Sequence, residues 1–174
     1  VTVSVRRLTA ADAAAYRDIR LEALADAPTA FSSDVAREAG DSLDDWAARL
    51  ARNLNFGATE ASDLLGIATL LTEASAKTRH RGHVVAVYVR PEARGRRIGR
   101  ALIKALIAAA PDYVEQLHLS VTAGNDAARH LYERLGFSVY ATEPRGIRVD
   151  GRYYDQHLMV LRLQEGSRKV TDNE

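Results

Sequence analysis

Arg94, Arg96, Arg97 and Arg100 crowd around Gly95 and Gly99, a few residues after the run Val84-Val85-Ala86-Val87-Tyr88-Val89. That β-branched run reads as a strand buried on both faces. Ile98, Leu102, Ala105, Leu106 and Ala109 then recur at helical spacing until Pro111. A strand thus leads through a basic, glycine-bearing turn into a helix. The first turn of a helix has unpaired N–H groups and the positive end of the dipole, so it attracts anions. Gly95 and Gly99 let a ligand approach the backbone with no Cβ in the way. The same arginines also fit a solvated basic face, since Arg97, Arg100 and Lys104 lie together on a helix. The strand-to-helix placement favours the anion site. Neither the NTPase pattern Gly-x-x-x-x-Gly-Lys-Ser/Thr nor the dinucleotide pattern Gly-x-Gly-x-x-Gly occurs.

A second constellation runs from Asn125 to Phe137: Asn125-Asp126-Ala127-Ala128-Arg129-His130-Leu131-Tyr132-Glu133-Arg134-Leu135-Gly136-Phe137. Asn125 can cap this helix and Gly136 can stop it in the left-handed conformation. Asn125, Arg129 and Tyr132 share a face at i, i+4 and i+7. Alone, Tyr132 would be read as a packed aromatic beside Leu131 and Leu135. The chain has no cysteine, which removes an acyl-cysteine intermediate, disulfides and thiolate metal sites together. No Gly-x-Ser-x-Gly nucleophile elbow occurs either.

Both constellations resemble the GCN5-related N-acetyltransferase (GNAT) superfamily. Arg94-Gly95-Arg96-Arg97-Ile98-Gly99 is similar to its pattern Arg/Gln-x-x-Gly-x-Gly/Ala, with Arg97 in place of the first motif glycine. Residues 125–137 match its later pattern Asn-x-x-Ala-x-x-Leu-Tyr-x-x-x-Gly-Phe at every specified position. The resemblance implies an α/β fold: a mixed central sheet of about seven strands flanked by about four helices, with the fourth and fifth strands splayed around acetyl-CoA. It implies that the backbone of Val87 and Val89, flanking Tyr88, pairs with the pantetheine amides. It assigns the pyrophosphate to Arg94, Gly95, Arg96, Arg97, Ile98, Gly99, Arg100 and Ala101. Asn125 and Ala128 would contact the pantetheine arm, and Tyr132 would reach the sulfur as the acid. Arg97 as a helical residue would still offer its N–H.

The reaction implied is direct attack by an amine on the thioester. It needs a neutral amine, a polarised carbonyl, for which the Val89 N–H is placed, and protonation of the leaving thiolate. The base is open. His83 stands where many family members carry a glutamate, and imidazole has a suitable pKa. His80, Arg81 and His83 equally fit the polar start of a strand. Glu22, Asp34, Glu38, Glu92 and Asp155 are further acids. Acceptor selection is expected from Leu24–Ala39, the region before the fourth strand, and Glu143–Asp155, with Tyr153, Tyr154 and Asp155 read as pocket-shaping or as ordinary hairpin residues.

These residues need elements to hold them. Val3–Arg6 alternates as a strand. Thr9 with Asp12, and Ser42 with Asp45, have capping-box spacing before helices through Tyr16–Leu24 and Trp46–Leu50. Residues 56–60 and 64–71 read as strands, 72–82 as a loop, and 117–121, 137–141 and 153–163 as strands, with a turn at Asp150-Gly151. The order implies one α/β domain over 1–163 and a frayed tail over 164–174. A net charge of +1 and 6% aromatics argue against a nucleic-acid surface. No run approaches a membrane span, and the expected location is cytoplasmic. An amine substrate is the expected partner, and a homodimer is left open. The alternative to an enzyme is an acyl-CoA-binding module without turnover.

Overall fold

The computed structural model describes residues 2–163; the tail expected over 164–174 lies outside the described residues. Seven strands form one sheet: β1 Ser4–Arg7, β2 Leu54–Glu60, β3 Asp63–Thr72, β4 Arg81–Val89, β5 Gln116–Thr122, β6 Ser138–Val149 and β7 Arg152–Arg162. Their order is β1-β2-β3-β4-β5-β7-β6. Neighbours are antiparallel except β4 and β5, which are parallel. Five helices accompany them: α1 Ala13–Asp26, α2 Val35–Glu38, α3 Leu43–Arg52, α4 Ile98–Ala109 and α5 Asp126–Glu133. The mixed sheet and the strand count are as expected. The extra helix is the single turn α2, started by the Asp34 side chain accepting the Arg37 N–H at 2.9 Å.

The helices form where the caps predict. The Asp12 carboxylate accepts the Thr9 N–H at 2.8 Å ahead of α1. Ser42 and Asp45 exchange bonds of 3.2 and 2.9 Å at the start of α3. Gly136, at φ +96°, stops the chain after α5 as expected.

The sheet separates two cores. On one face α4 packs Ile98, Leu102, Ile103 and Leu106 against Leu70, Val84 and Leu117, and Tyr132 of α5 joins this core. On the other, Tyr16, Ile19 and Leu24 of α1 and Trp46 and Leu50 of α3 pack against Ile67 and Tyr88. Burying these apolar stripes is what fixes α1 and α4 on opposite faces of β4.

β4 and β5 pair at only three positions, Arg81 with Gln116, Gly82 with Leu117 and His83 with His118. Beyond His83 they part. The cause lies in β4. Thr69 pairs with Val85 and Ile67 with Tyr88, so Ala86 and Val87 together oppose one residue of β3. Ala86 sits in the left-handed region at φ +53°. Such a bulge bends its strand. In a residue with a Cβ that conformation costs about 1–2 kcal/mol.

Two elements differ from the sequence reading. Residues 72–82 are not all loop: β3 runs to Thr72 and β4 starts at Arg81, which puts His83 inside a strand. β6 runs to Val149 rather than ending near Ala141. Pro144 and Gly146 hid its second half, and the register slips between Glu143 and Ile147 at those residues.

Candidate active site

The gap between β4 and β5 opens a cavity of about 140 Å³, lined by Val84 to Val87 of β4, Leu119 and Ser120 of β5, and Tyr132. It continues to the α1 face, where Arg20 and Phe31 close it. The segment after α1 forms this roof. Thr122 donates its hydroxyl to the Thr29 carbonyl at 2.5 Å, tying residues 28–31 to β5, and Phe31 turns inward. The cavity therefore passes through the sheet, with Tyr132 on one side and Arg20 on the other.

Backbone groups of β4 face this gap. Arg90 donates its N–H to Leu65 at 2.9 Å. In an antiparallel ladder, bonded and non-bonded pairs alternate. Tyr88 opposite Ile67 is therefore bonded to β3, whereas Val89 opposite Gly66 is not. Val89 therefore turns its N–H away from β3, to the side where β5 has left. Val89 already gives its carbonyl to Arg94 Nε at 3.0 Å. Tyr88, expected among the cofactor residues, gives its backbone to β3, its ring is buried against α1, and its hydroxyl donates toward Glu22 and Asp26, each at 3.2 Å. Burial and these carboxylates push its pKa up.

The basic turn ends at the first turn of α4. Arg97 is not a helical residue, as the sequence reading had it. It precedes α4 at φ +62°, and no side chain caps the helix. This accounts for the family glycine at that position: the backbone needs the left-handed region. Gly95, at φ +78°, is equally open. Gly99 has ordinary dihedrals, and a Cβ there would meet Leu131 at 3.5 Å and Val89 at 3.8 Å, normal contacts. The protein itself does not require a glycine at 99, so its smallness is left for a ligand. The N–H groups of Ile98, Gly99 and Arg100 lie in the first turn, and the earliest α4 bond runs from Ala101 to the Arg97 carbonyl at 3.1 Å. The side chain of Ile98 is in the core. Arg94 pairs with Asp26 at 2.5 Å and Arg96 with Glu60 at 2.5 Å. Arg97 and Arg100 are exposed and form no ion pair among the described residues.

Tyr132 is 7% exposed and stacks edge-on to Phe137, with centroids 5.8 Å apart. Its hydroxyl has no protein partner among the described residues, and burial pushes its pKa up, which keeps the proton on. Asn125 caps α5, its Oδ1 accepting the Ala128 N–H at 3.3 Å. Its amide nitrogen has no partner among the described residues, whereas the Ala128 N–H is used.

His83 is not brought to Tyr132. It lies at the closed end of the gap, and Glu73 meets its Nε2 at 2.7 Å. Of the acceptor segments, Tyr153 lies under Arg145 and Arg148, with guanidinium-to-centroid distances of 3.7 and 5.4 Å. Asp155 takes the Arg145 N–H at 2.8 Å. Both serve the β6–β7 hairpin. The residue missed in the sequence is Arg20; Phe31 falls within Leu24–Ala39, a segment expected to select the acceptor. Arg20 carried a signal: it sits on the α1 stripe with Tyr16, Ile19, Ala23 and Leu24, where a charge has no place without a partner.

A splayed parallel pair, a strand amide turned from β3 and an uncapped glycine-bearing helix start form one continuous path. The Acetyltransferase (GNAT) family pattern matches residues 18–137, which takes in all three. The chain belongs to the GNAT family. The L-amino acid N-acyltransferase MnaT of Escherichia coli is 36% identical over 80 residues, 45% of this chain and 46% of that one. The match thus spans about half the length of this curated relative. Among solved structures, an acetyltransferase of Salmonella typhimurium described with its cofactor acetyl-CoA is 25% identical with a TM-score of 0.80, covering 97% of this chain and 98% of that one. A GNAT acetyltransferase of Streptococcus pneumoniae reaches a TM-score of 0.84 at 20% identity over 94% of this chain and 100% of that one, a likeness of fold. As in the family, the fourth and fifth strands splay.

Proposed function

We propose that this GNAT protein transfers an acetyl group from acetyl-CoA directly to an amine, without a covalent enzyme intermediate. The observation that carries this reading is the gap cavity, which has strand amides on one wall and the unpartnered Tyr132 hydroxyl on the other. The residues fit the co-substrate. Gly99 leaves space its own fold does not use, and the N–H groups of Ile98, Gly99 and Arg100 face the pyrophosphate position, with Arg97 and Arg100 adding charge. Val87 and Val89 hold the pantetheine arm as an added strand would be held, and Asn125 contributes its amide nitrogen. When bound, acetyl-CoA supplies an activated acyl group as a thioester.

The chain's own groups then divide the work. The Val89 N–H points where a carbonyl oxygen needs a donor. The amine forms its N–C bond as the C–S bond breaks, and Tyr132 gives its proton to the departing sulfur. The amine proton leaves on the α1 side. His83, on that face of β4 beside Glu73, is the proposed base. The acceptor is a small molecule or a protein amine.

The test replaces Tyr132 with Phe, which keeps the ring and removes the hydroxyl. We expect thiol release with an accepted amine to fall by ~10²–10⁴, the worth of a positioned general acid. Acetyl-CoA affinity and melting temperature should hardly change. Undiminished turnover would remove Tyr132 from the chemistry. Acetyl-CoA binding with no turnover on any amine would instead favour a binding module.

A further inference from the structure

A second pocket, of about 420 Å³, opens on the α1 face and shares Arg20, Val85 and Ala86 with the gap cavity. It sets three arginines, Arg20, Arg37 and Arg49, against two carboxylates, Glu38 and Asp41. The pairing uses up the carboxylates. Arg49 gives Nη1 to Glu38 at 3.0 Å and Nη2 to Asp41 at 2.7 Å. Arg20 gives Nε and Nη2 to Glu38 at 3.0 and 2.8 Å. Burial would raise the Glu38 pKa, but the hydrogen bonds and charges of these partners outweigh it and hold it at about 2, so the carboxylate stays ionised.

One guanidinium and one buried donor atom are left over. Arg37 uses only its backbone N–H, bonded to Asp34, and its exposed guanidinium has no partner among the described residues. Arg20 is 9% exposed, and its Nη1 is buried without an acceptor. Because the guanidinium is planar and Glu38 takes the Nε–Nη2 edge, Nη1 lies off that edge. A buried charged donor without an acceptor is costly, so the arrangement calls for one. The neighbouring hydroxyls do not supply it. Ser33 is bonded to Glu38, and Thr69 donates to Asn55 at 2.7 Å and lies 3.1 Å from the Tyr16 hydroxyl.

We infer that this pocket receives the anionic end of the acceptor, and that the acceptor is an amine carrying a carboxylate a few bonds from its nitrogen. This rests on the acetyltransferase reading. Three positive groups against two negative ones leave a single surplus charge, which matches a monoanionic carboxylate better than a dianionic phosphate. Arg37 meets the carboxylate at the mouth and Arg20 at the floor. Val85 and Ala86, where the bulge begins, form the sill between the pockets. An acceptor anchored at the arginines passes its amine over that sill into the gap that Tyr132 lines from the other side.

The experiment measures thiol release from acetyl-CoA by the full chain with a panel of L-amino acids, their amides, and the corresponding amines lacking the carboxyl group. The free acids should lead, with kcat/KM falling by about tenfold or more in the amides and amines, the scale of one charge-assisted hydrogen bond. In Arg37→Ala the advantage should shrink through the acceptor's KM, with kcat little changed. Arg37 is exposed, so this variant folds even where Arg20→Ala does not. Amides or plain amines turned over as well as the acids would overturn the inference and leave the acetyltransferase reading intact. No turnover with any amine would count against the acetyltransferase reading. Calorimetry with N-acetyl-L-amino acids, which carry the carboxylate and no free amine, then tests the pocket by itself. Binding that weakens in Arg37→Ala supports the inference, and binding indifferent to that change, or none, rejects it.

Discussion

His83 and His118 face each other at the last register position that β4 and β5 share, with ring centroids 5.8 Å apart. The gap begins one residue later. His118 is held below the usual imidazole pKa by burial and then by the charges of His83 and Arg81, so it stays neutral around pH 7. Glu73 is held down at about 2 by hydrogen bonds from Thr78 and His83, and remains an anion against His83. If His83 relays the amine proton, His83→Ala should lower kcat/KM and flatten the acidic limb of its pH profile. An unchanged profile would make His83 a partner of Glu73 and nothing more. The measurement is a pH–rate series with one accepted amine.

Arg97 makes an opposite pair of predictions for one substitution. Its φ of +62° suits glycine, so Arg97→Gly should remove local strain and stabilise the fold by about 1 kcal/mol, as a left-handed residue with a Cβ costs about 1–2. The same change removes an exposed cation beside the α4 amides. Affinity for CoA should therefore fall while the melting temperature rises, and the loss should shrink in high salt. Affinity unchanged at low salt would mean that only the Arg97 backbone matters.

Arg96 is tied to Glu60 and Arg94 to Asp26. Both carboxylates are held below their ordinary range by these hydrogen bonds. A phosphate at the α4 start competes with them for the same guanidinium groups. Glu60→Gln should therefore tighten CoA binding at low ionic strength, and the gain should vanish at high salt. Calorimetry at two salt concentrations decides it; weaker binding would show that Glu60 positions Arg96 for the ligand.

Glu38 sets an acid limit on stability. Its pKa is about 2 in the fold against 4.5 ordinarily. A depressed carboxylate pKa contributes stability above the unfolded value and loses it as pH falls through the folded one. The window is pH 4.5 down to about 2. Denaturant titrations across it should show stability dropping, and Glu38→Gln should flatten that portion of the curve. Removing one partner of a buried pair costs roughly 3–5 kcal/mol, so the variant starts lower at neutral pH. An equal slope in both proteins would assign the acid sensitivity elsewhere.

Much of this was legible beforehand, for local reasons. Caps at Thr9 and Ser42, the apolar period of α4 and the Asn125-to-Gly136 helix each depend on neighbours within a turn or two. Those signals also located the basic turn and Tyr132. What escaped depends on pairing across the sheet. Nothing in Val84–Val89 announces that Ala86 is left-handed, since alanine rarely is. Nor does anything local announce that the Tyr88 ring turns to α1 and its hydroxyl to Glu22 and Asp26. Pro144 and Gly146 suggested a loop because the bulge that accommodates them is visible only against β7. Arg20 and Glu38, 18 positions apart in the chain, meet only after α1 and α2 have packed.

The bulge at Ala86 also changes the reading frame of β4. Upstream of it, Val84 faces α4 and Val85 faces α1; downstream, Tyr88 faces α1 while Val87 and Val89 face α4. Odd and even positions exchange sides at one residue. Deleting Ala86 would leave Val84, Val85, Val87, Tyr88 and Val89 alternating without a break, each on its present face, so both cores would be kept and the bend that opens the gap would be lost. A length change of one residue at this point thus acts on the gap, where the site lies, and leaves the two cores in place. Variation in the acceptor pocket should accordingly occur by substitution along α1 and α2, with the length of β4 held constant.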